Sequence, residues 1–143
     1  MNEIENLVEK ALEIAKEAHK GQLDKAGVDY IQHPLNVAAM VESPEEKAVA
    51  LLHDVIEDTD ISVEDLRTKG MPGDVVEAVF ALTKLKDIDY FEYLNRVKDN
   101  PLARKVKLAD LSHNSDISRI PNPREKDKER IKKYKLAIEY LSN

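Results

Sequence analysis

A proline stands just ahead of a helical pattern of apolar residues in five segments: "HPLNVAAMV", "SPEEKAVALL", "MPGDVVEAVFAL", "NPLARKVKLA" and "NPREKDKERI". Proline suits the first helical position, because the N–H that it lacks would have no partner inside the helix. No segment combines strand-like alternation with an enrichment in β-branched residues. The sequence therefore predicts an all-α fold of about eight helices.

Residue types that cap helices support these starts. Side-chain oxygens at an N-cap accept a hydrogen bond from a free backbone N–H, and an acid three residues later completes a capping box. The predicted N-caps before proline are Ser43, Asn100 and Asn122, the predicted capping-box partners are Glu46 and Glu125, and Ser62 starts a further short helix.

Composition limits the function classes. The 143 residues are expected to form one domain, residues 1–143, and the absence of cysteine excludes disulfides and thiolate metal sites. Any metal must therefore be held by histidine, carboxylate or amide groups. No apolar run has membrane-spanning length and the N-terminus is unlike a signal peptide, so we expect a cytoplasmic protein with no membrane partner. The net charge of −6 argues against a nucleic-acid partner. The sequence gives no prediction of the oligomeric state.

The segment "LLHDVIEDT" places four ionisable residues within an apolar run. On one helical wheel His53, Asp54, Glu57 and Asp58 occupy less than half of the circumference. Three carboxylates around one imidazole repel each other unless a cation offsets them, and a divalent metal is the simplest such cation. The alternative is a solvated face at a helix end, and the segment alone leaves both interpretations open.

Two other segments favour the metal. In "YIQHPLNV", His33 directly precedes a helix-starting proline, which restricts its backbone. In "VKLADLSHN" the apolar residues surround most of a helix, yet Lys107, Asp110 and Asn114 form one polar stripe. Asp110 is explained equally well by a salt bridge to Lys107 or by a metal bond, with Asn114 left to hold a ligand oxygen. His113 points away from this stripe and is interpreted as structural. His19 is interpreted as a packing or C-cap residue.

Together, "AHKGQ", "YIQHP", "LLHDVIEDT", "ALTK" and "VKLADLSHN" resemble the HD-domain hydrolase module of the RelA/SpoT alarmone enzymes and the small alarmone hydrolases. The resemblance runs from about Ala11 to Asn114. HD alone would be a weak signal, whereas HDxxED between an upstream HP and a downstream LADxxHN is specific.

The resemblance implies a helical fold around one metal ion, usually manganese, and a hydrolase that removes pyrophosphate from the 3′ position of guanosine tetra- or pentaphosphate. The implied metal ligands are His33, His53, Asp54 and Asp110. Glu57 and Asp58 are implied to orient and deprotonate the attacking water. The implied or predicted substrate contacts are Lys25, Lys107, Asn114 and Tyr134.

Two departures concern recognition of the base. The family commonly has Arg-Lys in the loop after GQ, where this chain has Asp24-Lys25, and "ADLSHN" lacks the arginine that is common in the last motif. Both predict a weakened preference for guanine. Two alternatives therefore stay open: an HD phosphohydrolase acting on an adenosine polyphosphate or a nucleoside monophosphate, and a catalytically silent HD scaffold that binds a nucleotide or a protein partner.

Overall fold

The computed structural model describes residues 3–24 and 27–143, and helices make up most of this part of the chain. Within that part, the only β-type pairing is a single antiparallel bridge between Leu23 and Asp29. The all-α prediction is confirmed. The described residues form nine α-helices and one 3₁₀ helix: α1 (Glu3–Ala18), α2 (Gln32–Ala39), α3 (Pro44–Leu52), α4 (Val55–Asp58), α5 (Val63–Thr68), α6 (Gly73–Ala81), α7 (Tyr90–Lys98), α8 (Pro101–Asn114), the 3₁₀ helix (Ile117–Arg119) and α9 (Glu125–Ser142).

Most of the predicted helix starts are confirmed. At the start of α3 the Ser43 hydroxyl accepts from the Glu46 N–H at 3.0 Å, and the Glu46 carboxylate accepts from the Ser43 N–H at 3.3 Å. The Asn100 side chain caps α8 by accepting from Ala103, and Ser62 caps α5. Each such cap contributes about 1 kcal/mol. Helix α2 begins one residue before His33, so this histidine lies in its first turn.

The predicted start of α9 is wrong. Asn122 has φ +52°, a left-handed conformation that asparagine tolerates but that is not the extended backbone of an N-cap. The helix begins at Glu125, and the Asp127 carboxylate accepts from the N–H of Arg124 at 2.9 Å. The cap therefore lies at Arg124, with Asp127 in the place expected for Glu125.

The "LLHDVIEDT" segment is not one continuous helix. Helix α3 ends at Leu52 and α4 begins at Val55, with Asp54 at φ −104° and ψ 0° between them. Consecutive residues of a regular helix point about 100° apart. The break brings His53 Nε2 and Asp54 Oδ2 to 3.1 Å, which a regular helix does not favour.

The core is aliphatic and centres on α3 and α8. Helix α3 packs against α1, α2, α6 and α8, while α8 also packs against α2, α7 and α9. Because His53 directly follows α3 and α8 carries Asp110, this packing brings both residues to the same interior region. The largest fully buried side chains are Leu52, Leu66, Leu94, Leu111, Leu141, Val37, Val49, Val55, Val75, Val76, Val79 and Val97.

No helix among the described residues combines the length and the apolar character needed to cross a bilayer.

Candidate metal and substrate site

Three separate parts of the chain bring His33, His53, Asp54 and Asp110 together. The Oδ1 atom of Asp110 lies 2.7 Å from His33 Nε2 and 3.3 Å from His53 Nε2. Potential ligand atoms of His33, His53 and Asp54 all lie within 4.8 Å of one another. Both histidines and Asp110 are buried, whereas Asp54 is partly exposed.

The geometry around His53 fits a divalent cation. Its Nδ1 lies 2.5 Å from the carbonyl oxygen of Ala50, which can only accept, so Nδ1 carries the proton and donates. Nε2 is buried and makes no hydrogen bond, although carboxylate oxygens of Asp54 and Asp110 lie 3.1 and 3.3 Å away. A metal ion bound between these atoms would use the Nε2 lone pair and both carboxylates. Two imidazoles and two carboxylates suit Mn²⁺ among several divalent metals.

The cluster concentrates negative charge and needs a cation. Burial by itself lowers the pKa of His53, but the neighbouring Asp54 and Asp110 carboxylates raise it well above its usual value. Burial likewise raises the pKa of Asp54, yet the adjacent His53 outweighs burial and lowers it to about 2. A divalent ion between the two carboxylates would balance their charge.

Lys107 pairs with Asp110 but does not account for all of its contacts. Its Nζ lies 3.1 Å from Asp110 Oδ2 and 5.4 Å from the centre of the Tyr93 ring. The other oxygen, Oδ1, faces His33 and His53 and accepts from the Asn114 side-chain amide at 3.1 Å. Burial raises the pKa of Asp110, but Lys107 and His53 outweigh burial and hold it well below its usual value. Asp110 is therefore ionised and available to a metal through Oδ1.

Glu57 and Asp58 follow the break, and only Glu57 lines the small cavity beside the cluster. Glu57 lines that cavity together with His53 and Asp54, and its Oε1 accepts from the backbone N–H of Lys84 at 2.7 Å. Lys84 is the last residue of the "ALTK" motif, so that motif fixes the orientation of Glu57. Both Glu57 and Asp58 line an adjacent acidic groove. Partial burial and the carboxylates of Asp54 and Glu57 raise the pKa of Asp58.

Two cavities flank the cluster and share Tyr134. The smaller cavity, about 140 Å³, contains Lys84 and Lys107 beside Glu57. The larger cavity, about 280 Å³, lies on the other side of the cluster and contains Arg119 and Arg130. Each cavity thus combines cationic side chains with access to the cluster. The larger cavity is lined by Gln22, Leu23, Asp24, Tyr30, His33, Asn114, Asp116, Arg119, Ile120, Arg130 and Tyr134.

The predicted substrate contacts that belong to the described residues all line these cavities. Lys107 lines the smaller cavity, Asn114 lines the larger one, and Tyr134 lines both. Lys25 lies outside the described residues. In the metal-free arrangement the Asn114 amide donates to Asp110, whereas the sequence predicted that it holds a ligand oxygen.

Arg119 and Arg130 were not predicted as site residues. Arg119 belongs to the segment "NSDISRI", and its guanidinium lies 3.9 Å from the Asp24 carboxylate across the larger cavity. Asp24 also accepts from the N–H of Val28 at 3.0 Å, which fixes its side chain. An arginine from another element thus lies beside Asp24 in the loop after GQ. Sequence spacing alone carried no signal for this long-range pair.

His113 and Tyr30 contact the cluster directly. The Nδ1 atoms of His113 and His33 lie 2.7 Å apart, and the two rings meet edge to edge with centres 4.9 Å apart and planes inclined by 26°. His113, which was expected to point away from the Lys107, Asp110 and Asn114 stripe, thus contacts His33 of the cluster. Burial, Arg119 and His33 lower the pKa of His113 to about 4. The hydroxyl of Tyr30 donates to Asp54, and the buried His19 ring lies against Tyr30 at 4.9 Å. Tyr30 is the first residue of the "YIQHP" motif, so the sequence contained a signal from which its place at the site could have been predicted.

Comparisons with known proteins agree with this arrangement. The family model described as "HD domain" matches residues 11–133. A GTP pyrophosphokinase of Streptomyces coelicolor is 35% identical, with 75% of this chain and 14% of that protein aligned. A guanosine-3′,5′-bis(diphosphate) 3′-pyrophosphohydrolase of Haemophilus influenzae is 33% identical over 91% of this chain and 22% of that protein. The bifunctional (p)ppGpp synthase/hydrolase SpoT of Escherichia coli is 36% identical over 71% of this chain and 16% of that protein.

These curated relatives are much longer, since the chain spans only 14% to 22% of their lengths. A solved structure of a metazoan ortholog of SpoT, described as hydrolysing ppGpp and acting in starvation responses, is closer in size. It superimposes with a TM-score of 0.74 at 27% identity, covering 94% of this chain and 83% of that one. The chain therefore belongs to the HD-domain family, and the resemblance to the RelA/SpoT enzymes that its motifs indicated is confirmed.

Proposed function

We propose that this protein is a metal-dependent phosphohydrolase that removes the 3′-pyrophosphate from guanosine tetra- or pentaphosphate or a closely related nucleotide. One observation carries the proposal: the His33, His53, Asp54 and Asp110 cluster lies between two cavities, each with two cationic side chains. A nucleotide with phosphates at both its 3′ and 5′ positions matches this arrangement. The names of the curated relatives and of the metazoan neighbour support the same substrate class.

In this proposal the four clustered side chains hold one Mn²⁺ ion. The bound ion supplies Lewis acidity to the scissile phosphate and lowers the pKa of a nearby water. Glu57 is the general base, because its Oε1 is held by Lys84 while Oε2 stays available to a water proton. Asp58, with its raised pKa, assists from the acidic groove that it lines together with Glu57.

The two cavities assign the parts of the substrate. Lys84 and Lys107 attract the 3′-pyrophosphate in the smaller cavity, where Glu57 also lies. Arg119 and Arg130 attract the 5′-phosphates in the larger cavity, with Asn114 and Tyr134 beside the ribose. Lys25 is proposed as a further phosphate contact. The whole chain, residues 1–143, acts as one domain in the cytoplasm on a small-molecule substrate.

A nucleotide panel tests the proposal. We expect the purified protein with Mn²⁺ to release pyrophosphate from guanosine 3′,5′-bis(diphosphate), and chelation by EDTA to abolish the release. The panel includes the adenosine counterpart, for which we expect kcat/KM near that for guanosine, because Asp24 cannot stack on a base as an arginine can. Analysis of the products by ion-exchange chromatography identifies which phosphates leave.

Each alternative has its own outcome in this panel. Release of phosphate only from adenosine polyphosphates or nucleoside monophosphates would favour a different nucleotide substrate, which the Asp24 departure supports. Nucleotide binding without turnover, in protein that holds no metal, would favour a silent scaffold. Strong selectivity for guanine would show that a residue other than the loop after GQ reads the base.

Neutralising Asp24 is expected to lower KM for the guanosine substrate. Asn at position 24 keeps an oxygen that accepts from Val28 but removes the charge that faces Arg119. The freed guanidinium then attracts an anionic ligand more strongly. An ion pair of this exposure is worth at most about 1 kcal/mol, so KM should fall by no more than about fivefold, with kcat unchanged. Steady-state kinetics measure the effect.

The matched control is the same Asp24→Asn change in an Arg119→Gln background. There we expect no decrease in KM, since the cation that Asp24 neutralises is absent. An equal decrease in both backgrounds would mean that Asp24 acts on the ligand directly rather than through Arg119.

A further inference from the structure

His33 and His53 differ in the group that lies within hydrogen-bonding distance of their Nδ1 atom. His53 Nδ1 faces the Ala50 carbonyl, which accepts only, so in the neutral ring Nε2 presents its lone pair to the cluster. His33 Nδ1 faces His113 Nδ1 at 2.7 Å, and an imidazole nitrogen can either donate or accept. The tautomer of His33 therefore depends on the state of His113.

A metal ligand role requires one particular tautomer. His33 can bind a metal through Nε2, the atom facing Asp110, only if its proton lies on Nδ1. That proton needs an acceptor, and the unprotonated Nδ1 of His113 is within reach.

The opposite pair of tautomers fits the same distances. His33 Nε2 lies 2.7 Å from Asp110 Oδ1, a distance at which an Nε2–H donates to the carboxylate. His33 Nδ1 then accepts from the Nδ1–H of His113. Exchange to the pair that a metal requires would release the Nε2 proton of His33 to solvent, place the shared proton on His33 Nδ1, and leave half-buried His113 with a solvent proton on Nε2. Each histidine would carry one proton before and after.

We infer that His113 is a positioning residue whose Nδ1 accepts the Nδ1 proton of His33 and thereby directs the His33 Nε2 lone pair to the metal. This inference rests on the proposed ligand role of His33. A backbone carbonyl, as at His53, fixes one state, whereas His113 accommodates both the metal-free and the metal-bound tautomer. Partners of this kind typically alter metal affinity by about 10- to 100-fold.

Two variants separate this role from ring packing. Phe at position 113 keeps an aromatic ring beside His33 but has no Nδ1, whereas Asn keeps a hydrogen-bonding group near the Nδ1 position but removes the ring. We expect His113→Phe to weaken Mn²⁺ binding about 10- to 100-fold, and His113→Asn to retain affinity close to that of the natural protein. Isothermal titration of the metal-free proteins measures this, after thermal unfolding has shown that both variants fold.

The imidazole nitrogens provide a second readout that does not depend on activity. In ¹⁵N spectra of the natural protein, loading with diamagnetic Zn²⁺ should move the His33 proton from Nε2 to Nδ1. Unchanged Mn²⁺ affinity in His113→Phe, equal losses in both variants, or a His33 proton that stays on Nε2 with metal would each overturn the inference. If metal binding followed the expected pattern but no nucleotide were hydrolysed, the proposed function would be wrong and the inference about His113 would stand. A natural protein that binds no metal would overturn both.

Discussion

Replacement of Asp54 by Asn is expected to remove most of the bound divalent metal and, with it, phosphohydrolase activity. An amide keeps the size of the carboxylate but is a much poorer ligand and carries no charge. Because changes to residues that merely orient ligands cost about 10- to 100-fold in affinity, loss of a ligand itself should exceed about 100-fold. Metal content after dialysis and a Mn²⁺ titration measure the loss.

Asp60→Asn provides the matched control for Asp54→Asn. Asp60 is an exposed carboxylate just beyond α4 and lines neither of the two cavities beside the cluster. That variant should keep both metal and activity. Full metal occupancy in Asp54→Asn would remove Asp54 from the set of ligands, whatever happens to turnover.

Glu57→Gln is expected to retain metal while turnover falls by a factor on the order of 10²–10⁴, the usual contribution of a general base. Gln can still accept from the Lys84 N–H through its Oε1 atom, so the side chain keeps its orientation. The atom that changes is the second oxygen, which becomes an NH₂ group and cannot accept a proton from water. Turnover at saturating substrate, together with Mn²⁺ affinity, separates these effects.

Glu77→Gln serves as the control for this change, since Glu77 is exposed on α6 outside both cavities beside the cluster. Near-normal turnover in Glu57→Gln would leave Asp58 as the remaining candidate base. Loss of metal would instead place Glu57 among the ligands.

Local signals in the sequence predicted the helices but not the geometry between them. The capping box of Ser43 and Glu46 depends on residues three apart, so it can be read directly from the chain. The break at Asp54 depends on where His33 and Asp110 lie, which no local pattern contains. Asn122 failed as a predicted cap for a related reason, because asparagine suits both an N-cap and a left-handed turn.

The candidate site shows the same division. The types of residue in the HP, HD and AD motifs indicated which side chains cluster, because each was hard to explain alone in an apolar setting. The contacts between Glu57 and Lys84 and between Asp24 and Arg119 join residues far apart in sequence. A helical wheel placed His113 away from the Asp110 stripe, whereas the His33 ring contacts it from α2.

Helix α9 has a thermodynamic role that follows from the position of Tyr134. This residue lines both cavities, and Arg130 on the same helix lines the larger one. A ligand that occupies both cavities therefore binds only the molecule in which α9 is docked on α7 and α8. By linkage, the binding free energy of such a ligand adds to the stability of that docked state. A ligand would thus stabilise the packing of a helix that carries none of the four clustered side chains.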